Sequence, residues 1–420
     1  MFLSMNTFTL IFLIALIISY SLQFWLAKRQ SAYVMRHRGE VPAAFKDKVS
    51  LEAHQKAADY TIDKGKLGEI DGLIGAAALL LLTLGGGISY AFELWSGLEL
   101  SPLMTGLGAV ATVFLVMTLV EVPTHVYQTF VIEEKYGFNK STVQQFIKDQ
   151  LLQLGLMAVI GLPILALILW VMDSIGEFWW LWAWAILMTF SLLMSWLFPT
   201  VIAPLFNKFT PMKEGPLKDR IQDLLARCGF SSQGIFIMDG SKRSGHGNAY
   251  FTGLGNNKRI VFFDTLVDSL DDEELEAVLA HELGHFKCKH VIKMLIASSV
   301  MSLISLAILG WLIDEPWFFS GLGVDQPSNA AALLLFTLVS PVFTPFIQPI
   351  SAYFQRKFEF EADAFAASNA KASKMISGLV KLYKDNASTL TPDPLYSAFH
   401  YSHPPAAIRI AHLENKTQSV

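Results

Sequence analysis

Five residues carry the clearest chemistry in this chain: His281-Glu282-Leu283-Gly284-His285, an H-E-x-x-H run. The residues before it, Asp271 to Ala280, read as a helix, with acids crowding the first turn and Leu275, Val278 and Leu279 recurring on one face. Ser269 is the expected N-cap. His281 and His285 then lie one turn apart, roughly 5 to 6 Å from each other, a spacing that suits one metal ion. Zinc held by two imidazoles and one carboxylate keeps a further position for water, and Glu282 beside it is the general base of a hydrolase. Taken alone, the run has a bland alternative, a His pair on a solvated helix face.

The missing carboxylate must come from elsewhere. Arg356 to Ala366 is a helix by propensity, on which Glu359 and Asp363 are four apart and share a face while Glu361 points the other way. Glu359 is the expected third zinc ligand, and Asp363 the acceptor that orients a ligating imidazole; by itself this helix would be a solvated acidic surface. Cys288, two turns after His281, is either a further ligand or the small buried hydrophobe that a free Cys usually is. In the tail, His400-Tyr401-Ser402-His403-Pro404-Pro405 and Arg409 offer a His or Arg that could reach over a metal and stabilise an oxyanion. Surface or packing roles are the alternative for them.

The elements that must position these groups are membrane helices. Hydrophobic residues make up 53% of the 420 residues and charged residues 16%; the mean hydropathy is +0.42. Stretches of about 8–27, 73–95, 103–120, 151–171, 178–198, 294–313 and 331–350 are apolar enough to cross roughly 30 Å of hydrocarbon, predicting seven spans. Residues before the first span hold no Lys or Arg while Lys28 and Arg29 follow it, the wrong polarity for a cleaved signal. Lys and Arg concentrate in 28–72, at Lys135, Lys140 and Lys148, in 199–293 and after 351, and are absent from 96–102, 172–177 and 314–330. The positive-inside rule then predicts an outside N-terminus and a cytosolic C-terminus, with the metal motif on the cytosolic side. A net charge of −4 offers no basic field for nucleic acid, and Cys228 and Cys288 on the cytosolic side predict no disulfide.

Four segments follow: 1–198 with spans one to five, 199–293 as the soluble zinc-protease segment, 294–350 with spans six and seven, and 351–420 supplying the third ligand and oxyanion residues. Gly85-Gly86-Gly87 weakens the second span or lets a neighbour approach. Pro341, Pro345 and Pro349 predict a broken seventh span, tolerated best where it lines water. His125 is expected as a hydrogen-bonded interfacial residue, and Gly137-Phe138-Asn139 as a corner before a helix starting at Ser141-Thr142. Within 199–293, Lys213 to Arg227 predicts an amphipathic helix and Gly234 to Asp239 a strand. Ala249 to Thr252 and Arg259 to Phe263 predict a hairpin around a turn at Gly253-Leu254-Gly255-Asn256-Asn257. Its first strand could pair with an extended peptide through Asn248, Ala249 and Tyr250; turn-capping is the equal alternative for Asn248.

Several runs occur together and in order: Phe130 to Lys135 with Gly137 to Lys140, Gly245-His246-Gly247-Asn248-Ala249-Tyr250-Phe251, His281 to His285, Phe358 to Ala366, and His400 to Pro405. In these the chain resembles the type I CAAX prenyl endopeptidases over nearly its whole length. The one mild departure is Gly247, where the family is expected to carry Ser. The resemblance implies an all-α polytopic membrane protein whose seven helices form a barrel around an internal chamber, capped by a cytosolic gluzincin-like zinc domain with a small β-hairpin. It further implies one zinc per chain on His281, His285 and Glu359, Glu282 as base and acid, Asn248 holding the substrate backbone, and His403 and Arg409 over the scissile carbonyl. The implied partners are a peptide, prenylated or otherwise membrane-associated, and the lipid bilayer of a bacterial inner membrane or endoplasmic reticulum. A transporter, or a quality-control scaffold with structural zinc, is the rival; Glu282, which a structural site does not need, counts against both.

Overall fold

The structure, a computed structural model, describes residues 6–252 and 259–417. The expected Gly/Asn turn at 253–257 lies outside the described residues. Among those described, five helices are long and apolar enough to cross a membrane: Thr7–His37, Pro102–Glu133, Val143–Ser174, Trp179–Phe206 and His290–Leu312. The count becomes six if a bent pair, Leu51–Leu82 and Gly87–Ser96, is one span.

Both shortfalls from seven have a local cause. The pair is bent by 52° at Gly85-Gly86-Gly87, where Gly86 has φ +79° and a Cβ on Gly85 would stand 2.5 Å from the Leu81 carbonyl oxygen. Only glycine fits a backbone folded that tightly. The stretch expected as span seven is a shorter helix, Asn329–Val339, followed by single 3₁₀ turns at Ser340–Val342 and Thr344–Phe346. Pro341 and Pro345 open those turns, where each ring removes a donor and blocks the preceding helical bond. The next helix, Gln348–Asn369, carries the acidic residues.

Two large cores hold the chain, with two small clusters beside them, one around Tyr60, Tyr136 and Phe138 and one around Val34 and Ile62. The first core lies among the apolar helices and includes Phe12, Leu79, Ile88, Val110, Leu169 and Leu335. Around it Ile17, Leu151, Val159, Trp182 and Ile296 remain exposed, the outward apolar faces of helices whose solvent is lipid. The second core joins Ile221 and Leu224 to Phe262, Leu275, Leu279 and Leu379. It packs the helices Pro216–Arg227, Asp272–Lys287 and Ala372–Asp385 with a sheet larger than the expected hairpin. That sheet has four strands, β1 (Phe209–Pro211), β2 (Gly234–Met238), β3 (Ala249–Thr252) and β4 (Arg259–Phe263), in the order β1-β2-β4-β3. β3 pairs antiparallel with β4, as expected, but β4 also runs parallel to β2. Being central, β4 buries Ile260, Val261 and Phe262 in succession. β3 is left as an edge.

Candidate metal centre

The H-E-x-x-H helix, Asp272–Lys287, is capped two residues later than expected. Ser269 instead closes a short helix, Asp264–Ser269, and Asp271 caps the next one through a reciprocal pair with Glu274. Buried Glu274 is also bound by Lys381 at 2.6 Å and Ser377 at 2.5 Å, and Glu276 by Arg220 at 2.8 Å and Arg227 at 2.6 Å. These ties fix the helix against the Pro216–Arg227 and Ala372–Asp385 helices. The Gln348–Asn369 helix crosses it at Gly284, where a Cβ would lie 2.9 Å from the Ala362 Cα. The two backbones approach as closely as they do because neither residue has a side chain beyond Cβ there.

That close approach brings Glu359 to both imidazoles. His281 Nε2 and His285 Nε2 are 3.2 Å apart, and Glu359 lies 3.4 Å from the first and 3.2 Å from the second. Glu359 Oε2 is buried and accepts no hydrogen bond, so three groups turn lone pairs toward one point with a buried oxygen unsatisfied. A divalent cation answers that donor set. Behind His281, Asp363 Oδ1 lies 2.9 Å from Nδ1, and Arg409 grips the same carboxylate with Nε at 2.9 Å and Nη2 at 2.6 Å. Burial and the Arg409 charge pull the His281 imidazole down, but Asp363 and Glu359 outweigh them and lift it to about 9. Burial pushes the Glu282 carboxyl above its ordinary range, against the pull of His281 and His285.

His285 is backed differently. Its Nδ1 lies 3.0 Å from His290 Nδ1, and His290 Nε2 lies 3.0 Å from Glu361 Oε2. His290, 1% exposed, stacks on Phe358 with centroids 4.3 Å apart. It opens the His290–Leu312 helix immediately after Lys289, whose φ of +58° turns the corner between the two helices. This relay was not foreseen from the sequence; its only signal was the five-residue step from His285 to His290, which helical periodicity does not single out. Cys288 falls with His290 and Glu361 and not with the His281, His285 and Glu359 group. Both cysteines are free.

A cavity of about 1390 Å³ adjoins the centre, walled among others by Asn248, Ala249, Glu282, Tyr383, His403 and Arg409. His403 Nε2 is 3.4 Å from Glu359, and its side chain, 61% exposed, faces this space. Arg409 is 6% exposed with two of its nitrogens on Asp363; Nη1 lies 3.4 Å from Glu359 Oε2. Asn248 Oδ1 accepts the N–H of Ala249 at 2.8 Å. Tyr250 is not among the wall residues and sets its ring edge-on to Phe263.

Residues 30–208 match the family described as CAAX prenyl protease N-terminal, five membrane helices, and residues 211–417 match peptidase family M48. The chain belongs to the CAAX prenyl protease family of M48 peptidases. It is 33% identical over 465 residues to the mouse CAAX prenyl protease 1 homolog, covering 97% of this chain and 96% of that one. It is 33% identical over 430 residues to CAAX prenyl protease 1 of Saccharomyces cerevisiae, covering 95% and 93%. The crystal structure of S. mikatae Ste24p superposes with a TM-score of 0.90 at 32% identity, over 97% of this chain and 99% of that one. As an M48 CAAX-protease family member the chain is a multi-pass membrane metalloendopeptidase, and the family implies a metal cofactor.

Proposed function

We propose that this enzyme uses one zinc ion to cut a peptide bond near the C-terminus of prenylated CAAX-type proteins or other membrane-associated peptides. The observation that carries the metal assignment is the buried, unsatisfied Glu359 oxygen between two facing imidazoles, with Glu282 on the wall of the same cavity. His281, His285 and Glu359 would hold the zinc, and Asp363 would orient His281. When bound there, zinc supplies Lewis acidity at the scissile carbonyl and lowers the pKa of water. Glu282, its proton affinity raised by burial, takes a proton from the attacking water and passes it to the leaving amine. Asn248, Ala249 and Tyr250, at the head of the edge strand β3, hold the substrate backbone extended. His403 faces the cavity and donates to the developing oxyanion, while Arg409, engaged by Asp363, holds that carboxylate and Glu359 in place.

The same reading takes the broken pair and the proline-interrupted segment as crossings, giving seven spans around a water-filled chamber. Lys and Arg on alternate connections support a cytosolic soluble core and C-terminus, at the endoplasmic reticulum or a bacterial inner membrane. It keeps the four segments 1–198, 199–293, 294–350 and 351–420. The test is Glu282→Gln with its zinc content measured beside the parent's. Zinc should be retained and cleavage of a farnesylated CAAX peptide should fall about 10²- to 10⁴-fold; a variant as fast as the parent removes Glu282 from the mechanism.

A further inference from the structure

The cavity wall carries four acidic or basic side chains besides histidine and tyrosine, Lys64, Glu69, Glu282 and Arg409. Glu69 is paired with Lys28 at 2.7 Å, Arg409 with Asp363, and Glu282 lies beside the metal-site imidazoles. Lys64 has no carboxylate within ion-pair distance among the described residues. Its ammonium donates only to the Tyr60 hydroxyl, at 3.4 Å, and lies 4.9 Å from the Tyr60 ring centroid. A cation on the wall of a substrate cavity, left with a phenol as its partner, is a site prepared for an anion.

Its position says which anion. The Tyr60 hydroxyl is 3.4 Å from His246 Nε2, two residues before Asn248. His246 stacks on Phe138 at 4.2 Å and lies 3.3 Å from Glu133, which also accepts from Tyr60 at 2.6 Å and Gln128 at 2.6 Å. Asn386 accepts from the Gly247 N–H at 3.0 Å and donates to the Gly247 carbonyl at 3.2 Å. The segment that leads into β3 is therefore clamped, and Lys64 is held beside the clamp. The cavity wall includes His246, Gly247, Asn248 and Ala249 but not Tyr250, Phe251 or Thr252, so the enclosed space lies off the N-terminal end of β3. A peptide laid antiparallel on β3 sends its C-terminal end there; a parallel one would send its N-terminal end. In a substrate cut near its C-terminus only the C-terminal end carries a free charge, a carboxylate that an ammonium attracts, while the other side runs on into the protein; this favours the antiparallel arrangement.

We propose that Lys64, held by Tyr60, receives the free terminal carboxylate of the substrate, so that the enzyme reads the distance of its cut from the chain end. This rests on the peptidase reading above. The test uses the full-length, zinc-loaded protein and two farnesylated CAAX peptides that differ only at the C-terminus, a free acid and its amide. The parent should prefer the acid by about 10- to 100-fold, expressed in KM, as for a charge-assisted hydrogen bond. Lys64→Met should bring the acid-to-amide ratio close to one, and Lys64→Arg should restore most of it. The ratio is taken within one preparation, so a poorly folding variant lowers both rates and leaves it readable. A parent indifferent to the end group, or a Lys64→Met variant with the parent's ratio, overturns the carboxylate assignment and leaves the peptidase intact. A parent that cleaves neither peptide overturns both.

Discussion

His281 and His285 face the same point from one helix, yet what stands behind each is of a different kind. Behind His281 is a dry ion pair, Asp363 at 0% and Arg409 at 5% exposure, built wholly from the second core and its last helix, Ala406–Thr417. Behind His285 is a relay through His290 to Glu361, whose side chain is 36% exposed and also meets Lys293 at 3.6 Å. His290 and Lys293 belong to a membrane-spanning helix. One imidazole is thus set by the soluble core, and the other by the seam between that core and the membrane body. A charge pair sealed from water is costly to break, whereas one open to water is screened and replaceable.

The sharpest way to break this contrast is Asp363→Ala, which leaves the Arg409 guanidinium buried without its partner. It should destabilise the protein by about 3–5 kcal/mol, read as a large fall in melting temperature. Adding Arg409→Met should recover part of the loss, and no recovery would mean that the pair is not the cause. Gly284→Ala acts on both imidazoles together, since its methyl meets the Ala362 backbone and must part the helices. A cost of about 1–3 kcal/mol is expected, with zinc affinity falling in a chelator competition; unchanged affinity would show that Glu359 tolerates the shift. His290→Phe preserves the ring stacked on Phe358 but removes the nitrogen facing His285. Zinc affinity should drop about 10- to 100-fold while the melting temperature of the zinc-free protein hardly moves. Glu361→Gln should have the smallest effect, under about 1 kcal/mol, and should fade as salt is raised. If it equalled Asp363→Ala, the two supports would not differ in kind.

Much of the site was legible without coordinates because helical geometry is local. His281, Glu282 and His285 share a turn, and Glu359 and Asp363 share a face with Glu361 opposite, whatever the rest of the chain does. The apolar stretches were legible for a similar reason, since a bilayer demands a continuous run. What the apolar runs left open was the shape of two of the spans, although the prolines did predict the break in the last one. Gly85 to Gly87 and Pro341 with Pro345 stood in plain view, but whether such residues bend a helix or end it depends on what packs against the break. The parallel β2–β4 pairing was hidden because it joins strands separated by the β3 excursion, and no hairpin signal marks a crossover.

By itself, then, the sequence determined the membrane body, the donor types and the spacing of each donor along its own helix, since these follow from side-chain chemistry and a fixed rise per residue. The tertiary structure alone decided that the Gly284 and Ala362 backbones touch, that Glu359 therefore reaches both imidazoles, that His290 and not Cys288 stands behind His285, and that Lys64 lines the same cavity as Asn248. Each of these joins residues from different elements. Their meeting is set by which cores bury which faces, a property of the packed whole that no run of neighbours encodes.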